Sequence, residues 1–191
     1  MPGAVFTLIT APAAEPITAA ALKLRLGIDA SDAADDAWIA VVINAARQKI
    51  EAFTGRALIT QTWELRLPDW PAMRRVDLLK PPLQSITSVK YTTGAVELTL
   101  AATNYEIDAA SEPGALVFDA DAALPAVDDL PAAVKIRYVC GYGATGASVP
   151  GGLIVAVTKA AELLYSGCEI AMAGHTCAAA AAAWPYRVLR I

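Results

Sequence analysis

Two groups of residues have the types and spacing to do chemistry. The first is Gly141-Tyr142-Gly143-Ala144-Thr145-Gly146, a G-x-G-x-x-G run after a predicted strand. In a dinucleotide site such a run brings the pyrophosphate to the amino end of a helix, with the third glycine inside that helix. Here Ala147 to Pro150 intervene before a helix can start, and no alternating strand and helix units precede the run to build a parallel sheet. A glycine-rich turn is therefore the expectation. The second group is Cys168, His175 and Cys177, around the only histidine of the chain. Structural zinc takes four ligands and catalytic zinc usually three at conventional spacings, and Cys140 would complete a set only by accident of the fold. A Cys and His nucleophile pair needs a setting that stabilises the thiolate, which alanine-rich surroundings do not offer. Cys168 reads more simply as a small apolar residue on a helix stripe. No catalytic residue, cofactor or metal site is assigned from these residues. A small enzyme, or a nucleotide- or metal-binding domain built on Gly141–Gly146 or on Cys168, His175 and Cys177, stands as the alternative function.

The composition narrows the classes further. At 191 residues the chain fits one domain, and 56% hydrophobic with 18% charged residues excludes wholesale disorder. Much of the apolar count is alanine, which adds little burial energy per residue, so burial completed against neighbouring subunits is expected. A formal charge of −4 and no basic run argue against a protein whose task is to grip nucleic acid. Trp38, Trp63, Trp70 and Trp184 lack interleaved basic residues and read as core or interface rather than as a base-stacking platform. Three cysteines without disulfide-framework spacing fit a reducing cytosol. Met1 to Ala14 lacks a basic n-region and is interrupted by Pro2 and Pro12, so a signal peptide is not expected. No stretch reaches the ~20 apolar residues of a membrane span.

The elements that would position these residues follow from periodicity. Residues 1–16 read as an extended arm with nothing to pack. Thr18 caps a short helix stopped by Gly27, and the Asp-rich turn from Asp29 to Asp36 leads into a long helix. In that helix Ile39, Val42, Ile43, Ala46, Ile50 and Phe53 form one apolar stripe, Asp35 or Asp36 can cap its start, and Gly55 ends it. The period then becomes two: Trp63, Leu65 and Leu67 point one way, Thr62, Glu64 and Arg66 the other. From Val76 to Phe118 an antiparallel meander is predicted, with a hairpin around Thr92-Thr93-Gly94. An acidic loop and a last strand at Ala133 to Val139 follow. A second long helix runs from Pro150 to about Glu169, with Leu153, Ile154, Val157, Ala160, Ala161, Leu164 and Cys168 on one side. Its stripe matches that of the first, so the two should pack together. The expected fold class is α+β: a helical core at 17–55 and 150–170, a β insertion at 56–149, the arm, and a tail at 171–191. Six alanines, Ala178 to Ala183, precede Trp184, Tyr186, Arg187, Val188, Leu189 and Arg190. That end is either a docking peptide or a segment packed back on the domain.

Several of these pieces together resemble a known family. The short helix ending in Leu-Arg-Leu-Gly-Ile-Asp and the helix closing with Ile-Glu-Ala-Phe-Thr-Gly-Arg-Ala-Leu-Ile-Thr-Gln-Thr-Trp-Glu-Leu are similar to the head-tail connector (adaptor) family of long-tailed bacteriophages and gene transfer agents. Leu79 to Val89 resembles the family's entry into its β insertion, and Tyr138 to Gly143 with Val149-Pro150 resembles its lead into the last long helix. The likeness spans about Ile17 to Glu169. It implies a non-enzymatic homo-oligomeric ring, in the family usually of twelve copies. Such a ring sits at the head-tail interface of a particle assembled in the bacterial cytoplasm, between the portal protein and a tail-side stopper or head-completion protein. Helices would surround a channel through which DNA passes without sequence-specific binding, and the carboxy-terminal segment, Trp184 to Arg190, would engage the portal. No cofactor and no membrane are implied. The negative net charge suits a channel in which DNA slides.

Overall fold

The computed structural model describes residues 3–167 and 178–188. They fall into two compact units, one drawn from 3–11 and 61–141, the other from 12–60, 142–167 and 178–188.

The second of these is helical. Helix α1 (Ala19–Leu26) starts where the Thr18 hydroxyl accepts the Ala21 amide at 3.1 Å, and it stops at Gly27, whose φ of 71° lies in the left-handed region. Helix α2 (Asp36–Thr54) buries Ile39, Val42, Ile43, Ala46 and Ile50 on one stripe and half-buries Phe53, as the 3.6-residue period requires. Gly55 closes it at φ 74°. The expected acidic cap is not made, because Asp35 has no side-chain bond to the first turn. Its carboxylate accepts the Tyr165 hydroxyl at 2.6 Å instead, and Asp36 pairs with the buried Lys23. Two of the four aspartates in this segment do make turns: Asp29 accepts the Ser31 amide and Asp32 the Ala34 amide.

Helix α3 (Gly151–Tyr165) places Leu153, Ala156, Val157, Ala160 and Ala161 in the same buried cluster as the α2 stripe, so the two long helices pack as their patterns require. It ends earlier than about Glu169. The Ser166 hydroxyl donates to the Glu162 carbonyl, and Gly167 takes φ 74°, which terminates the turn. The six alanines form helix α4 (Ala178–Ala183), with Ala179, Ala180 and Ala183 buried against α3 and neighbouring residues of the unit. Too short to persist alone, this helix is held by packing.

The other unit contains eight strands among the described residues: β1 (Val5–Thr10), β2 (Gln61–Leu67), β3 (Arg75–Asp77), β4 (Leu83–Thr93), β5 (Val96–Thr99), β6 (Tyr105–Asp108), β7 (Ala115–Phe118) and β8 (Val134–Cys140). They make a five-stranded sheet, β1-β2-β8-β4-β5, and a three-stranded one, β3-β7-β6, both antiparallel throughout. The α+β class stands, but the order is not that of a meander. The last strand, β8, lies between β2 and β4, and the amino-terminal arm supplies β1. Alternation shows which face a strand buries but not which strand it pairs with, so this topology was not legible locally. In β8, Val134, Ile136, Tyr138 and Cys140 are buried, while the residues between them are half-buried. β4 and β5 are joined through Gly94 and Ala95, both at positive φ (56° and 63°), as a type I′ hairpin requires. The Asp128 carboxylate accepts both turn amides, at 2.9 and 2.8 Å.

Candidate functional site

Each glycine of the G-x-G-x-x-G run has a conformational or packing reason to be glycine. Gly141 sits at φ 120°, a conformation side chains avoid. A Cβ on Gly143 would lie 2.4 Å from the Ser148 hydroxyl oxygen, and one on Gly146 would lie 1.9 Å from the Pro16 carbonyl oxygen. Gly146 opens a short 3₁₀ turn, Gly146–Ser148, and Val149 and Pro150 follow before α3, so the third glycine is not inside that α-helix. The turn expected from the sequence is therefore present, and at Gly143 and Gly146 the space a Cβ would need is taken by Ser148 and the Pro16 backbone.

Cys168, His175 and Cys177 lie outside the described residues, as do Leu189 and Arg190. Cys140 is buried on β8, its Sγ 3.7 Å from the Gln61 carbonyl oxygen. Among the described residues no cluster of three or more His, Cys, Asp and Glu side chains is arranged to hold a metal ion. No described helix is long and apolar enough to cross a membrane.

The described part of the carboxy-terminal segment folds back on the end of α2. Trp184–Tyr186 forms a 3₁₀ turn, the Arg56 guanidinium donates to the Tyr186 carbonyl at 2.6 Å, and the Val188 amide donates to the Thr54 carbonyl at 2.8 Å. The Tyr186 ring occupies the space a Cβ on Gly152 would need. The Arg187 guanidinium lies 5.0 Å from the Phe53 ring and 4.7 Å from the Trp184 ring, a cation–π stack on the helix end. Arg187 and Trp184 stay exposed. These described residues thus pack on their own unit.

The densest polar constellation was not found from the sequence. On the polar face of the five-stranded sheet, Arg66, Lys135 and Lys90 stand directly opposite one another on β2, β8 and β4. Such a row of like charges is unfavourable unless carboxylates interrupt it. Glu64, opposite Arg137 on β8, accepts from Arg66 at 2.9 Å and from Arg137 at 2.7 Å. Glu97 on β5 accepts from Lys90 at 2.8 Å and from Lys135 at 2.6 Å. Burial pushes the Glu64 carboxyl up, but the bonds from Arg137 and Arg66 outweigh it and hold the group below its ordinary value. The Lys135 bond, then that of Lys90, lowers Glu97 to about 2. Both carboxylates are thus fixed as anions, far from the near-neutral poise of a general acid or base. Their arrangement ties four strands, β2, β8, β4 and β5, together.

The helical unit has a smaller counterpart. Glu51 accepts the Arg47 guanidinium and the Leu58 amide, each at 2.8 Å, and Glu15 accepts Arg47 and Asn44 at 2.8 and 2.9 Å. Glu15 lies in the arm expected to have nothing to pack, and it is this ion pair that fastens it to α2. The Arg47 and Glu51 pair was legible as an i, i+4 spacing; the partners of Glu15 and Glu64, 32 and 73 residues away, carried no sequence signal.

Fold and polar groups together define a structural α+β module whose described charged clusters fasten elements to one another. Comparison with known proteins specifies it. Residues 17–106 match the phage gp6-like head-tail connector protein family. The fold is similar to a chain in the neck of an empty gene transfer agent (GTA) particle computed with C6 symmetry, with TM-score 0.80 and 24% identity over 98% of this chain and 97% of that one. It is equally similar to a chain in the virion of a native gene transfer agent particle, with TM-score 0.80, 25% identity and the same coverage of both chains. A chain in the neck of the native particle, computed with C12 symmetry, gives TM-score 0.71 at 24% identity, again covering 98% and 97%. Among curated proteins, none matches this chain. Over residues 17–106 the chain is thus similar to phage gp6-like head-tail connector proteins, and in fold it is similar to chains of gene transfer agent particles.

Proposed function

We propose that this chain is a non-enzymatic structural adaptor in the neck of a phage-like particle, where copies of it form a ring between the portal protein and a tail-side stopper, around the DNA channel. The observation that carries the reading is the connector-family match over residues 17–106, continued by likeness over 98% of the chain to proteins of particle necks and virions. The symmetric neck relatives favour a closed ring, with twelve copies as the expected number. In this reading the two long helices are staves of the ring body and the inserted sheet unit reaches towards neighbouring copies. The ring assembles in the bacterial cytoplasm and remains in the particle. Trp184, Tyr186, Arg187, Val188, Leu189 and Arg190 form the portal-docking end, for which the exposed Trp184 and Arg187 offer an aromatic and cationic anchor.

The test is a mass measurement of the purified protein mixed with portal-bearing particles. Stoichiometric, ring-sized occupancy is expected. A strict monomer that joins those particles under no condition overturns the reading, whereas a monomer in isolation does not, because such a ring can form on its template.

A further inference from the structure

We propose that neighbouring copies join through the two edges of the five-stranded sheet, β1 of one copy lying beside β5 of the next. The proposal rests on the ring reading above and adds the surface that closes it. β1 and β5 are the outermost strands of the sheet, so each has one side on which its backbone N–H and C=O groups meet no other strand among the described residues. Free edges of this kind template pairing with another chain, and monomeric proteins blunt them with charge, proline or bulges. Val5–Thr10 reads Val-Phe-Thr-Leu-Ile-Thr, with no charge and no proline. Its one irregularity, between Leu8 and Thr10, leaves the run from Val5 to Leu8 in regular register. An uncharged, β-prone, exposed edge is an aggregation hazard unless something covers it.

The far edge matches it. All four residues of β5 are exposed, and its one charge, Glu97, is occupied by Lys90 and Lys135. Register places Leu8 opposite Trp63, and Trp63 opposite the buried Tyr138; it places Leu98 opposite Tyr91, and Tyr91 opposite the buried Val134. Leu8, 42% exposed, and Leu98, 43% exposed, therefore lie on the apolar face of the sheet at its two ends. Edge-to-edge contact would continue that face across the joint and cover both.

The occupant of each edge is a second copy because the two edges differ and fit each other. Cyclic symmetry needs a heterologous interface, in which one patch meets a different patch. Five antiparallel strands also leave β1 and β5 running in the same direction. Rotation about a ring axis does not invert a copy, so the joint would be a parallel pair. A two-fold dimer would instead pair β1 with β1, or β5 with β5.

The test is cysteine cross-linking of the full chain assembled on portal-bearing particles, with Leu8→Cys paired in turn with Leu98→Cys and Val96→Cys. At least one double variant should give a ladder of covalent oligomers on denaturing gels, and single variants and wild type should not. Rings visible by electron microscopy with no ladder from either pair overturn the joint and leave the ring reading standing. A dimer from Leu8→Cys alone also overturns it, in favour of a two-fold contact. Absence of any ring removes the ring reading and the joint with it. As a second measurement, Leu8→Lys and Leu98→Lys, both at exposed positions, should keep the wild-type circular dichroism and lower ring occupancy at least tenfold. Wild-type occupancy in both would reject the proposal.

Discussion

Glu51 in the helical unit and Glu64 in the sheet unit are nearly buried carboxylates with the same task, bridging cations to backbone or to other strands, yet they are built on different scales. Glu51 draws on Arg47 one turn away and on the Leu58 amide just past the helix, and Arg47 is itself only 7% exposed at its side chain. Glu64 draws on Arg137, across a strand pair and 73 residues away, and on Arg66, and those two side chains remain 43% and 41% exposed. The difference teaches that a helix can assemble its polar anchor from neighbours in sequence, whereas a sheet anchor exists only once register is set. It also ranks the anchors: removing a carboxylate costs more where the stranded cation cannot reach water.

The largest expected effect tests the helical side at its core. Ile43 is 2% exposed, so Ile43→Asp buries a charge without a partner and should cost about 4 kcal/mol or more in urea denaturation. Wild-type stability in that variant would mean that the inward stripe of α2 is misassigned. Next, Glu51→Ala strips the Leu58 amide and the buried Arg47 of an acceptor and should cost about 3 kcal/mol. Glu64→Ala should cost less, about 1–2 kcal/mol, because water solvates the two arginines it releases. Equal losses in these two variants would break the comparison.

Acid should sharpen it. Glu97 and Glu64 are held below their ordinary value of 4.5, Glu97 at about 2. Over that window the unfolded chain binds more protons than the folded one, so their contribution is present above about 4.5 and is lost as pH falls towards 2. Hydrogen exchange of β4, β5 and β8 should therefore accelerate between those limits, and Glu97→Gln should flatten the pH dependence. An unchanged slope in the variant would place the acid sensitivity elsewhere. The smallest effect is local: Ala95 holds φ 63° in the β4–β5 turn, so Ala95→Gly should stabilise by about 0.5–1 kcal/mol, readable as a small rise in the thermal midpoint. A destabilised variant would show that the turn gains nothing from relief of that strain.

Legibility followed the same divide. The α2 stripe, the Gly27 and Gly55 stops and the packing of α2 on α3 were readable because a helix sets its periods within a few residues. Strands β2 and β4 to β8 were readable as strands, with β7 at Ala115–Phe118 as expected, whereas β1 was readable only as an extended arm. Their order was not, and neither was the charged row of Arg66, Lys135 and Lys90. The Asp35 and Asp36 cap failed for a related reason: partners from α3 and α1 compete for those carboxylates, and no local pattern reveals the competition.

By itself the sequence determined the α+β composition, the two amphipathic helices, the turn built from Gly141–Gly146 and a resemblance to the connector family. Only the tertiary structure decided which strands meet, that β1 and β5 are the outer strands of one sheet, that Glu15 is tied to α2, and that the described part of the carboxy-terminal segment returns to it. The reason is physical. Helical order comes from contacts within a turn or two, while strand pairing, edge exposure and long-range ion pairs depend on residues that only the folded chain brings together.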